Sequence, residues 1–177
     1  MYILLRVSFI AICLVIFLTS CSGGNNNNST THPPTTVADA LKASDQSGAY
    51  PALNHDSTIA GPDLDNNGVR DDVDAYINAL PDNSSQKSAL RQTHSAISNA
   101  MLADTTNQNA LVAATRKIAN ATACIHAKYD STTASNKNSE MEKITVNTKG
   151  RFRAYEKFSA AISGTTFVLP EGDGCAN

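Results

Sequence analysis

The chain has 177 residues, with 14 Lys and Arg against 16 Asp and Glu, and a formal charge of −2. That balance excludes the basic excess on which nucleic-acid affinity depends. Hydrophobic residues make up 41% of the chain but aromatics only 6%, and Trp is absent, so the sequence supports one modest core in which abundant alanine lets helices approach closely.

At the N-terminus, Arg6 precedes an almost unbroken apolar run over 7–18. The run is long enough for the apolar region of a signal peptide and too short for a comfortable membrane span. It closes in Leu18-Thr19-Ser20-Cys21. This tetrapeptide resembles the lipobox of bacterial lipoproteins, in which the signal peptide is cut before the cysteine and the thiol is then lipidated. The resemblance implies a signal peptide over 1–20, a lipid anchor on Cys21 and attachment to the membrane through it. Because Ser22 rather than Asp follows the cysteine, it also implies passage to the outer membrane of a Gram-negative bacterium. An ordinary signal peptide with an incidental Cys is the alternative. Several acyl chains would hold the protein far more firmly than one. Residues 21–36 are rich in Asn, Ser, Thr and Pro, lack apolar periodicity and read as a flexible tether. Residues 37–177 read as a single helical domain, beginning with a short helix over 37–43.

The densest chemistry follows at 63–74, where Asp63, Asp65, Asp71, Asp72 and Asp74 are relieved only by Arg70. Five carboxylates in twelve residues repel one another unless a cation sits among them, and a hard divalent ion suits oxygen donors. Asp63, Asp65 and Asn67 offer side-chain oxygens, Val69 its carbonyl, Asp71 an oxygen directly or through water, and Asp74 a closing carboxylate. Gly68 takes the sixth place, where a calcium loop turns sharply and a positive φ is needed. The order Asp-x-Asp-x-Asn-Gly-Val-x-Asp-x-x-Asp resembles a thrombospondin type 3 repeat, and also EF-hand and dockerin loops. Asp74 stands where an EF-hand carries Glu, and Arg70 stands at the eighth, usually apolar, place. These departures favour the thrombospondin or dockerin type. A single extracellular-type loop implies calcium affinity of about 10⁻⁴ to 10⁻³ M and a structural ion. The competing reading is an Asp-rich turn that caps a helix without metal.

Val73, Tyr76, Ile77 and Leu80 continue the loop into a helix that Pro81 stops. A second helix is expected over 83–103, with Leu90, His94, Ile97 and Met101 on its stripe. A third follows the stripe Leu111, Thr115, Ile118, Thr122, Ile125 and Tyr129. A fourth is expected over 138–162, where Gly150 marks a kink or a close contact. Short connections at 104–107 and 130–137 imply antiparallel neighbours. Residues 165–169 alternate like a strand, within a tail over 164–177. The expected fold is mostly α, a small up-and-down helical bundle with the calcium loop at its N-terminal edge.

With Cys13 in the signal peptide and Cys21 lipidated, Cys124 and Cys175 remain as a pair, which points to a disulfide in an oxidising compartment. A metal site at Cys124 and His126 is the weaker reading, for want of a second ligand pair. His94 on an apolar stripe reads as a core histidine before it reads as a catalyst. Lys149, Arg151, Arg153 and Lys157 form the only basic cluster, either a solvated helix face or a contact for anionic head groups. No nucleophile elbow, phosphate loop or His-Glu-x-x-His helix is present. The expectation is a non-enzymatic, calcium-binding, lipid-anchored envelope protein acting through an unidentified envelope partner. The alternatives are a hydrolase or peptidoglycan-modifying enzyme with a scattered site, raised if His94 or His126 shares a pocket with a carboxylate, and a structural spacer.

Overall fold

Four of the five helices named below begin where a short polar side chain takes up free backbone N–H groups. The computed structural model describes residues 43, 46–48, 52–166, 168 and 170–176. The expected signal peptide, Cys21 and the tether lie outside the described residues, as does the 37–43 helix apart from Ala43, which is helical.

Among the described residues from 71 onward there are five helices: α1 (Asp71–Ala79), α2 (Ser84–Leu102), α3 (Gln108–Lys128), α4 (Ser131–Thr145) and α5 (Lys149–Ala161). Asn83 starts α2 with a reciprocal box: its side chain accepts from the Gln86 N–H while the Gln86 side chain accepts from the Asn83 N–H. Asn107, Asp130 and Thr148 accept from the first-turn N–H groups of α3, α4 and α5. Helix α1 has no side-chain cap, but Asp71, Asp72 and Asp74 in its first turn complement the positive helix end.

Helix α2 lies at the centre and packs against all four others. One apolar cluster joins Val69, Val73 and Ile77 to Leu90, Ile125, Met141 and Ile144. Others set Phe158 against Ala100 and Ala114, and Val146 against Ile97 and Met101. Ala89, Ala96, Ala100, Ala114, Ala121 and Ala134 are buried in the core, while other alanines, such as Ala75, Ala113 and Ala160, are exposed. The result is the expected small helical bundle.

Three expectations are corrected. The connection at 130–137 is helical, because Asp130 caps a turn that buries Ala134. The helix expected over 138–162 is two, broken at Val146, Asn147 and Thr148 rather than at Gly150. Asn147 leaves the helix to donate to the Asn54 carbonyl at 3.1 Å and accept from Arg151 Nη1 at 2.9 Å, and Thr148 caps α5. Residues 165, 166 and 168 are not strand, and no strand occurs among the described residues.

The tail is fastened to α2 and α3. Cys124 and Cys175 form a disulfide with Cα atoms 4.6 Å apart, and Gln92 donates to the Gly174 carbonyl at 2.8 Å while accepting from the Ala176 N–H at 2.9 Å. Gly174 has a φ of 72°, and a Cβ there would lie 2.5 Å from the Asn120 carbonyl oxygen. Among the described residues, no helix is long and apolar enough to cross a membrane.

Candidate metal centre

The acidic loop is pinned at both ends before it turns. The Asp71 N–H donates to the Pro62 carbonyl at 2.9 Å, and Val69 and Arg70 are buried at the foot of α1. Between them Asn66 and Gly68 adopt φ values of 56° and 80°, so the sixth place of the loop has the positive φ expected of it. These reversals fold the chain back on its own carboxylates. Asp63 accepts from the Asn67 N–H at 3.1 Å and the Gly68 N–H at 2.9 Å, and Asp71 accepts from the Leu64 N–H at 3.1 Å. Asp65 accepts from the Asn67 side-chain amide at 2.9 Å.

One oxygen from each of Asp63, Asp65 and Asp71 comes within 4.8 Å of the other two. Asn67 sits beside them, with its Oδ1 accepting from the Val69 N–H at 2.7 Å. Asp74 is not brought into this trio. Its carboxylate accepts from Arg91 Nε at 2.6 Å and from Asn78 Nδ2 at 3.0 Å, joining α1 to α2. Asp72 is also engaged, pairing with Arg70 Nε at 2.5 Å and Nη2 at 3.0 Å. Of the five loop acids, two therefore have cationic partners. The three without one, among the described residues, are the three that converge.

Arg70 at the eighth place, expected from the sequence only to relieve the loop charge and to depart from the apolar pattern, has a structural role as well. Its side chain is 1% exposed and donates to the Ile144 carbonyl at 2.9 Å and the Thr145 carbonyl at 3.2 Å. The loop thereby caps the C-terminus of α4, whose last carbonyls have no partner within the helix. A second buried guanidinium, Arg151, donates to the Asn54 carbonyl at 2.6 Å, the Ile59 carbonyl at 3.2 Å and Asp56 at 3.1 Å. Burial, then the neighbouring Arg70 charge, lower the Arg151 pKa against the opposing pull of Asp56 and Asp72. Arg151 thus holds the segment leading into the loop instead of contributing to a basic face. Lys149, Arg153 and Lys157 remain exposed. The signal for Arg70 was positional, since it stands where the loop pattern asks for an apolar side chain; Arg151, one residue before Phe152 of the stripe, carried no such signal.

Burial raises the Asp72 carboxyl, but hydrogen bonds from Arg70 and from the Asn54 N–H outweigh it, and the group is held below the usual carboxylate range. His94 is 1% exposed. Its Nε2 accepts from the Arg70 N–H at 3.1 Å, which requires the proton on Nδ1. Nδ1 then donates to Thr145 Oγ1 at 2.9 Å, whose own hydroxyl donates to the Met141 carbonyl at 2.6 Å. Burial first, then Arg70, push the imidazole down to about 3, so the ring is neutral. His94 and Asp63 do border one small cleft, of about 170 Å³. Both ring nitrogens are nonetheless engaged by the protein, which leaves the imidazole no acceptor for a substrate proton. His126 is exposed, and the neighbouring Cys124 thiol is consumed in the disulfide.

The donor set at the trio is all hard oxygen, carboxylate with amide beside it, which fits calcium and suits softer metals poorly. Comparison with protein-family models, with curated proteins and with solved structures finds no match.

Proposed function

We propose that this protein is a calcium-binding, lipid-anchored cell-envelope protein that works by binding, with calcium ordering the loop at the foot of α1. What supports the reading is the sorting of the loop acids: Asp72 and Asp74 are paired with arginines, while Asp63, Asp65 and Asp71 converge within 4.8 Å and have no cationic side chain as partner among the described residues. These three would hold the ion, with Asn67 and the Val69 carbonyl beside them, while Asp74 serves the α1–α2 contact. A bound calcium ion supplies the positive charge that relieves their repulsion. Arg70, next to Asp71, joins the loop to the end of α4 and to His94, so order in the loop bears directly on the core.

The site is tested by calorimetry of the full chain in detergent, titrated with calcium and then magnesium, alongside thermal melting. One-site calcium binding with a Kd of about 10⁻⁴ to 10⁻³ M and a raised Tm is expected, with a weaker magnesium response. The double variant Asp63→Ala, Asp65→Ala should lose both effects. Unchanged calcium uptake in that variant would sink the assignment. The anchor is tested separately: incorporation of labelled fatty acid should vanish in Cys21→Ala, and labelling that persists would remove the lipoprotein reading.

A further inference from the structure

We infer that a cleft beside the acidic loop takes a small ligand bearing a carboxylate next to hydroxyl or amide groups, and takes it more tightly when the loop holds calcium. The cleft is an open one of about 490 Å³ between α2 and α3. Arg91 and Ser95 come from α2, Lys117 and Asn120 from α3, and Asn67 and Val69 of the acidic loop form a wall. The disulfide-fastened C-terminal segment borders it through Ala176.

Both formal charges among the described lining residues are positive, and no carboxylate is among them. Each cation also keeps donors in hand. Arg91 uses Nε on Asp74 and Nη2 on Asn78, and its Nη1 has no partner among the described residues. Lys117 gives one of its three ammonium hydrogens to Asn99 Oδ1 at 2.8 Å. A carboxylate in the cleft would receive charge-assisted bonds from both, the strong class of hydrogen bond. The side chains of Ser95 and Asn120, both half-buried, make no hydrogen bond within the described residues and can donate or accept, which suits hydroxyl or amide groups next to that carboxylate. No aromatic ring is among the described residues that line the space, and these offer a stacked nucleobase no platform.

The calcium dependence rests on the reading proposed above. Asn67 belongs both to the metal loop and to the cleft wall. Without a cation, the Asp63, Asp65 and Asp71 carboxylates repel a ligand carboxylate beside them, and a divalent ion removes two units of that charge. By linkage, ligand must then tighten calcium to the same degree.

Two carboxylate probes separate the sources of this chemistry: D-galacturonate for an acidic sugar and N-acetylglutamate for an acidic amino acid, with galactose as neutral control. Each is titrated into the full chain in detergent, with chelator or with saturating calcium, after calcium heat has been measured alone. At least one acidic probe should bind about five-fold or more tightly in calcium, while galactose gives no heat. Lys117→Met, an exposed substitution, should weaken the probe about ten-fold and leave the calcium heat and Tm unchanged. Calcium heat with no probe binding, equal binding of galactose, or full affinity in Lys117→Met overturns the cleft and leaves the calcium reading standing. Probe binding with no calcium heat overturns the coupling and the calcium reading together.

Discussion

Two buried arginines and a glycine decide how the acidic loop is seated. Gly61 has a φ of 77°, and a Cβ there would lie 2.3 Å from Arg70 Cδ and 2.9 Å from Arg151 Nη2. Neither guanidinium can give way, because each is fixed by two backbone carbonyls and a carboxylate. Gly61→Ala should therefore cost about 2 to 4 kcal/mol, from left-handed backbone strain plus overpacking, read as a lower urea midpoint. A midpoint equal to that of the parent would show that the two arginines are not held as described. His94 makes the same seat sensitive to acid. An unfolded histidine takes a proton near pH 6.5, whereas folded His94 resists it down to about 3, so the unfolded state binds more protons between those values and stability falls as pH falls. Between pH 7 and pH 5 the loss should be about 2 kcal/mol, measured with chelator present. His94→Gln should flatten that slope whatever it does to absolute stability, and an undiminished slope would assign the acid sensitivity elsewhere. Asp72, held below the usual carboxylate range, keeps its contribution above the ordinary carboxylate pKa and loses it only as pH drops through its own lowered value, so its share appears at still lower pH.

At the scale of the helices, caps explain both the agreement with the sequence and the departures from it. The stripe Leu90, His94, Ile97 and Met101 is buried as its spacing predicts, and the Asn83 box starts the same helix. Gln86 also donates to the Lys128 carbonyl at 3.2 Å, so that one turn ties the start of α2 to the end of α3. Asn83→Ala should cost about 1 kcal/mol in chemical denaturation, with the slope of the transition unchanged. No measurable loss would mean that water replaces the cap without penalty. The break between α4 and α5 was invisible to periodicity, because Met141, Ile144, Thr148, Phe152, Tyr155 and Phe158 keep a helical rhythm across it. The break is made by partners from far along the chain: Arg70 takes the last carbonyls of α4, and Asn54 and Arg151 take the side chain of Asn147.

In the molecule as a whole, a helical core is closed by one covalent staple. The disulfide spans 51 residues, and in the chain-entropy model its removal costs about 4 kcal/mol. The paired variant Cys124→Ala, Cys175→Ala should show that loss by denaturation and should free the tail, seen as rapid amide exchange at Ala176. An exchange rate like that of the parent would mean that the Gln92 hydrogen bonds alone hold the tail. The first three helices, the cysteine pair and the acidic loop were legible in the sequence, because helical periodicity, cysteine count and donor spacing are properties of neighbouring or countable residues, whereas the start of α4 and its break from α5 were not. Tertiary structure alone decided which acids converge. Arg91 draws Asp74 away to α2, and Arg70 neutralises Asp72 while capping α4, leaving Asp63, Asp65 and Asp71 together. A sequence states how many charges lie close along the chain, but which of them meet a partner depends on helices that arrive later, and only packing brings those within hydrogen-bond reach.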